Sequence, residues 1–362
     1  MIEYDILGEI GRDNCVAARV RTGTTLDHLF LDSGGNCLHS VPWTDIRDCT
    51  AVFYSHFHFD HFAGFDEILR CTWCRDGRPV HIFGPPDTCR IIYHRLQGFL
   101  WNNAPGKNGS FRISEFDGRQ LKTIRLLTTE KFANIHEEPT RQTDGLIMET
   151  DAFRVQAICL DHGVPSIGYL ISEPDKLSIN KDAMLAMNLK NGPWAGRLKN
   201  PEHSDDEIIP IDDQSYRLGQ LRQDLIHRVS GDSLGYLTDF RVDDAETRME
   251  LVEMFRGVNT LICENNFRDQ ELDKAKASHH LTSSEVGRLA NDIGPNHLVL
   301  FHVSDRYVAP EFREQLEQVR VHFADARFPE HWAQEIFADV PPTTDSKIND
   351  EATGRNSEQH CP

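Results

Sequence analysis

The segment Ser55-His56-Phe57-His58-Phe59-Asp60-His61 constrains this chain most narrowly, because it packs three imidazoles and one carboxylate into the six positions 56–61 behind the apolar run Ala51-Val52-Phe53-Tyr54. An apolar run of this kind reads as a strand, and residues two apart at a strand end point to the same side. His56 and His58 therefore share a face. The turn that follows brings Asp60 and His61 round toward a second position. Imidazole and carboxylate are the ligands of a hydrolytic first-row metal site, and they suit zinc, whose catalytic sites keep one position open for water. A polar loop rich in histidine is the plainer account, but four ligand-type residues in this order weigh against it.

Other ligand types obey the same rule of position. His162 follows Phe153-Arg154-Val155-Gln156-Ala157-Ile158-Cys159-Leu160, Asp239 follows Leu234-Gly235-Tyr236-Leu237, and His302 closes the apolar run from His297 to Phe301. Each stands at the C-terminal end of a strand-like run, so strand ends from distant parts of the chain are expected to converge on one edge, where loops carry function on a rigid scaffold. Short β-branched and aromatic runs recur from residue 16 to residue 304, with helical patterns expected over 65–74, 87–101, 244–255, 283–291 and 311–323. Many strands with helices between them imply an α/β fold: a four-layer αββα sandwich, two sheets face to face with helices outside.

A chain of 362 residues with 39% hydrophobic and 26% charged residues can bury a sizeable core as a soluble globular protein. No stretch approaches the roughly 20 apolar residues of a membrane helix, and the opening MIEYDILGEIGRDN has neither a basic nor an apolar signal region, so a cytoplasmic protein is expected. Nine cysteines at irregular spacing form no disulfide framework and read as free thiols, with Cys71 and Cys74 a lone structural pair. The formal net charge of −19 excludes broad, non-specific phosphate binding, although bound divalent ions or a local basic patch would still admit a nucleic-acid substrate. Residues 341–362 are polar and aperiodic and are expected to be disordered.

Four segments carry a resemblance to a known family: SHFHFDHFAGF, LDHGVPSIGYLISEPDK around His162, HHLTSSEVGRLA, and LVLFHVSDRY around His302. Over about residues 5–310 the chain resembles the metallo-β-lactamase superfamily of binuclear hydrolases. Within it the chain looks most like the ribonuclease Z group, which trims the 3′ end of precursor tRNA. The first segment marks only the superfamily, whereas Gly168-Tyr169 and Ser304-x-Arg306-Tyr307 are narrower.

The resemblance implies a domain over 1–340 holding two Zn2+, with Mn2+, Fe2+ or Co2+ as alternatives. One ion would be held by His56, His58 and His162, the other by Asp60, His61 and His302, with Asp239 between them and a shared hydroxide as nucleophile. Asp60 would orient the nucleophile and take its proton. His280 and Glu264 resemble the family's proton-handling pair, although His279 stands beside His280 and competes for the role. Residues 173–233 occupy the place of the family's tRNA-gripping arm, and Gly192-Pro193-Trp194 resembles its glycine-proline motif. The segment carries both basic residues and the acidic run from Glu202 to Asp213, and the charged tract 105–150 has no assignment. A homodimer is expected by the same analogy.

The chain departs from the family pattern at LDSGGNCLHS, at Thr238-Asp239-Phe240 and at Cys263, which touches substrate more than chemistry. The alternative is therefore a hydrolase of the same fold acting on a small phosphodiester such as a cyclic nucleotide, or on a carboxylic ester or lactone. A non-catalytic binding module is disfavoured because all seven ligand positions are filled. A di-iron oxygen-reducing relative is disfavoured by the histidine at position 58.

Overall fold

Alternation with a period of two decides where the N-terminal strands face. In Cys15–Arg21, Leu26–Leu31 and Cys49–Phe53, the side chains of Val16, Ala18, Val20, Leu29, Leu31, Ala51 and Phe53 enter one apolar core, while Cys15, Ala17, Phe30, Cys49 and Val52 enter another. A sheet that is apolar on both faces must be covered on both. The computed structural model, which describes residues 1–338 apart from 24, 105 and 213, supplies both covers. Helices Phe65–Thr72 and Thr88–Gln97 lie on one face through Phe65, Ile68, Leu69, Ile92 and Leu96. A second sheet lies on the other. Its far side takes helices Ala245–Phe255, Ser283–Ile293 and Ala309–Arg320 through Leu251, Phe255, Val286, Leu289, Phe312 and Leu316. The layers are those of the metallo-β-lactamase fold. The expected tail at 341–362 falls outside the described residues.

The first sheet runs, in spatial order, Ile2–Leu7, Cys15–Arg21, Leu26–Leu31, Cys49–Phe53, Val80–Gly84, Ser110–Phe116, Gln120–Leu127 and His136–Glu137, with Arg141–Gln142 also on Gln120–Leu127. The second runs Leu146–Glu149, Arg154–Asp161, Pro165–Ser172, Ser233–Leu237, Thr260–Glu264, His297–Phe301 and Ala326–Arg327. Ser233–Leu237, Thr260–Glu264 and His297–Phe301 are parallel neighbours. Arg154–Asp161 points the same way, since two antiparallel pairings separate it from Ser233–Leu237. Four strand ends thus open on one edge of the second sheet.

Two parts of the first sheet were not expected from the sequence. Ile2–Leu7 is an outermost strand buried on one side only, and its alternation of Ile2, Tyr4 and Ile6 with acids and a leucine is short. The charged tract 105–150 contains the hairpin Ser110–Phe116 and Gln120–Leu127, in which Phe111, Ile113, Ile124 and Leu126 are buried while Lys122 and Arg125 face solvent. Charge between the apolar positions hid a regular strand pattern. Helix limits moved by a few residues, as with Thr88–Gln97 inside the expected 87–101.

The expected arm folds on itself. Lys176–Ile179 pairs with Ile226–Val229, and Ile208–Ile211 with Gln214–Arg217. Helices Lys181–Ala186, Trp194–Lys199 and Leu218–Leu225 enclose a third core that includes Met184, Trp194, Leu198, Leu218, Leu221 and Leu225. Its two ends meet where the Glu173 N–H donates to the Asp232 carbonyl at 2.8 Å. Gly192 is required by the Trp194 ring, which a Cβ at that position would approach to 2.9 Å.

Candidate metal centre

The histidine-rich turn leaves the strand Cys49–Phe53 and is anchored from below by a residue that the sequence reading passed over. Asp32, fully buried at the end of Leu26–Leu31, accepts hydrogen bonds from the Ser55 N–H at 2.7 Å, the Ser55 hydroxyl at 2.7 Å, the Tyr236 hydroxyl at 2.7 Å and the His61 Nδ1–H at 2.8 Å. The last bond fixes the His61 tautomer and leaves Nε2 facing outward. Gly34 lets the Asp32 turn lie against the histidine run, because a Cβ there would stand 2.4 Å from the Asp60 carbonyl. The signal for Asp32 was present in the sequence: it closes the apolar run His28-Leu29-Phe30-Leu31, just as Asp239 and His302 close theirs.

The seven expected ligand-type side chains lie together. His56, His58 and His162 present ligand nitrogens within 4.8 Å of one another, and so, as a second group, do the ligand atoms of Asp60, His61 and His302. Asp239 lies between the groups: its Oδ2 is 2.7 Å from His61 Nε2, and its Oδ1 is 3.9 Å from His162 Nε2 and 3.4 Å from His302 Nδ1. Asp60 Oδ2 sits 3.3 Å from His61 Nε2 and 3.2 Å from His302 Nε2. Hydrogen bonding outside the cluster orients the rings. His162 Nδ1 donates to the His279 carbonyl at 3.1 Å, which turns its Nε2 inward, and Asn266 Nδ2 stands 3.1 Å from His302 Nδ1.

His280 and Glu264, the expected proton-handling pair, join the same edge. His280 Nδ1 is 2.5 Å from Glu264 Oε2 and 3.5 Å from Asp239 Oδ1. Glu264, fully buried, also accepts from the Asp239 N–H at 3.2 Å and the Leu281 N–H at 3.1 Å. His279 is placed differently: half-exposed, it pairs with Asp161 at 3.1 Å instead of facing the cluster. Arg306 spans the wall of the site, its guanidinium 4.4 Å over the Phe267 ring. The open cleft in front measures about 410 Å³, with Arg12, Asn266 and Arg306 among its walls.

Protonation follows from this crowding. Burial opposes charge on His61, but Asp239 and Asp32 on either side outweigh it and raise its pKa well above the usual imidazole value. His56 is pushed down to about 2 by burial and by the neighbouring histidines, and burial also lowers His162. Burial disfavours the Asp60 carboxylate, yet hydrogen bonds from His302 and His61 hold it below the usual range. His280 is raised to about 9, because Glu264 and then Asp239 outweigh its burial.

The donor set fits divalent metal binding. Four overlapping groups of histidine and carboxylate converge, and the buried His61 Nε2 faces two carboxylates at once, Asp239 Oδ2 at 2.7 Å and Asp60 Oδ2 at 3.3 Å. Neutral imidazole nitrogens and ionised carboxylates converging on one spot are the donor chemistry of a divalent first-row metal.

Known proteins agree with this architecture. A family model described as beta-lactamase superfamily domain matches residues 30–156, the stretch that holds the histidine run. Ribonuclease Z of Deinococcus radiodurans is 35% identical over 332 residues, which covers 92% of this chain and 99% of that one. Ribonuclease Z of Myxococcus xanthus is 27% identical over 288 residues, covering 78% and 79%. Among solved structures, the metallo-beta-lactamase fold protein YhfI from Bacillus subtilis superposes with a TM-score of 0.52 at 14% identity, over 90% of this chain and 95% of that one, which speaks for the fold. Similarity to the Deinococcus protein along nearly the whole of both chains makes this chain a member of the ribonuclease Z family, within the metallo-β-lactamase superfamily of metal-dependent hydrolases.

Proposed function

We propose that this protein is a tRNA 3′-processing endoribonuclease that holds two zinc ions and hydrolyses a phosphodiester of precursor tRNA in the cytoplasm. The observation that supports this most directly is the meeting of seven ligand-type side chains from four strand ends, in a chain that matches ribonuclease Z relatives along its length. His56, His58 and His162 would hold one ion, Asp60, His61 and His302 the other, and Asp239 would serve both. Mn2+, Fe2+ or Co2+ satisfies the same donors. Such ions, when bound, polarise a phosphoryl oxygen and lower the pKa of a shared water.

The protein's own groups supply the rest. Asp60, kept ionised by His61 and His302, is placed to orient an attacking water and accept its proton. His280, kept protonated by Glu264, is placed to stabilise the scissile phosphate or to protonate the leaving 3′ oxygen. Asp32 holds His61 in the tautomer that a metal needs.

The second reading, a small phosphodiester or ester substrate, draws support from the acidic body and from the arm. Among the arm's basic residues, Lys176, Arg197, Arg217, Arg222 and Arg228 are paired with Glu173, Glu207, Asp206, Asp205 and Asp175. Incubating the zinc-loaded protein with a 3′-extended precursor tRNA beside bis(p-nitrophenyl) phosphate separates the two. Cleavage of the tRNA at its 3′ side is expected; turnover of the ester alone would transfer the assignment to the small substrate. His58→Ala and Asp239→Ala are expected to lose both bound metal and turnover, and His280→Ala to keep the metal and lose rate. Retained activity in Asp239→Ala would remove the shared ligand from the account.

A further inference from the structure

We infer that Arg241 is a positioning residue for His280, acting on its peptide carbonyl and through it on the place of the imidazole. The inference builds on the phosphodiester reading above, in which His280 handles the proton. Arg241 lies two positions after Asp239, and its side chain is only 6% exposed. A guanidinium offers five N–H donors in a fixed plane. Here Nη1 donates to the His280 carbonyl at 2.9 Å, Nη2 to Glu285 at 3.1 Å and Nε to Asp243 at 2.8 Å. The Arg241 backbone N–H donates to the Asp161 carbonyl at 2.8 Å, immediately before His162. One residue therefore ties the Asp239 loop to the loops that carry His162 and His280.

The carbonyl matters because everything else around His280 is already committed. The His280 N–H donates to the Ala275 carbonyl at 2.9 Å, and the next N–H, of Leu281, donates to Glu264 Oε1 at 3.1 Å. His279, with φ of +55°, gives its carbonyl to His162 Nδ1 and its ring to Asp161. With Arg241 on the His280 carbonyl, the peptides on both sides of that Cα are pinned, and the ring falls between Glu264 and Asp239. Glu285 and Asp243 balance the guanidinium charge, so its effect on His280 is directional and does not set cation against cation. A purely structural Arg241 would only brace Glu285 in the cap of the helix Ser283–Ile293, where the Thr282 N–H donates to Glu285 at 2.9 Å. Such a cap would affect rate independently of His280.

Arg241→Gln separates these roles. In zinc-loaded protein turning over bis(p-nitrophenyl) phosphate, kcat is expected to fall roughly 10- to 100-fold, the scale of a misplacement of about 1 Å, with KM and zinc content unchanged. In a His280→Ala background the same substitution should cost nothing further. An equal loss in both backgrounds would overturn the inference.

A second readout needs no turnover. In metal-free protein, the downfield NMR resonance of the proton between His280 and Glu264, assigned by its loss in His280→Gln, should vanish or move in Arg241→Gln; an unchanged resonance would also overturn it. Should Arg241→Gln fail to fold, Asp243→Asn removes one partner at an exposed position and should give the same pattern at smaller amplitude. Failure of the wild type to hydrolyse the ester would count against the phosphodiester reading, while the resonance still decides the role of Arg241.

Discussion

At the scale of single residues, the site is built on backbone that most side chains avoid. Asp32, Asp239 and His302, each just past a strand, have φ of +56°, +50° and +45°, in the left-handed region that costs a residue with a β-carbon roughly 1–2 kcal/mol. Aspartate tolerates this better than alanine, and glycine tolerates it freely. In metal-free protein, Asp239→Gly should therefore be more stable than Asp239→Ala by about 1 kcal/mol in a urea melt, although both lose the same carboxylate. Equal midpoints would mean that the backbone there relaxes.

A second residue sets a pH dependence remote from the site. His81, half-buried and facing Arg112 and Arg75, has its pKa pushed from 6.5 down to about 4, first by loss of solvent and then by these cations, with Glu138 only partly offsetting this. The folded state thus refuses a proton that the unfolded chain accepts. The stability this provides is present above about pH 6.5 and is lost as pH falls toward 4, on the order of 2 kcal/mol at the acid end. Replacing His81, which stacks on Phe83, with phenylalanine should flatten stability over that range; an unchanged acid slope would assign it to other groups.

At the scale of elements, what could be read from the sequence tracks how strongly each segment is buried. His56, His58, His162, Asp239 and His302 stood out because each follows within one to five residues of a strand buried in the interior, and such strands announce themselves as apolar runs. Ile2–Leu7 and the hairpin Ser110–Phe116 with Gln120–Leu127 lie away from the centre of the first sheet, where charge is tolerated between apolar positions, and the pattern thins. Asp32 and Arg241 were missed for another reason: their roles are set by partners far away in sequence, Tyr236 for one and His280 for the other.

The arm shows the same limit. Its basic residues were visible, but not that five of them are paired internally while Lys181, Lys190 and Lys199 are exposed and have no ion-pair partner among the described residues. If the arm grips RNA, these three carry it. Replacing all three with alanine should weaken precursor tRNA binding and lessen its salt dependence, while turnover of bis(p-nitrophenyl) phosphate stays unchanged. Unaltered tRNA affinity would exclude the arm as the contact.

At the scale of the whole molecule, the tRNA reading asks a chain of formal charge −19 to bring a polyanion to an edge where carboxylates outnumber the arginines of the cleft wall. Under that reading, neutralisation by bound ions and a reach by the arm would answer both needs, and in a homodimer that reach would come from the neighbour. Mixing His58→Ala protein with a variant in which 174–231 is replaced by a short turn tests this directly. Arms that serve the partner's site would restore tRNA cleavage in the mixture, whereas arms that serve their own would leave it inactive.

Such a replacement is practicable because the excursion departs and returns at a single point, where Glu173 meets Asp232. The appendage packs on an interior of its own. If the arm grips the substrate, an appendage closed at its base in this way leaves substrate choice and bond-breaking chemistry free to evolve on separate schedules.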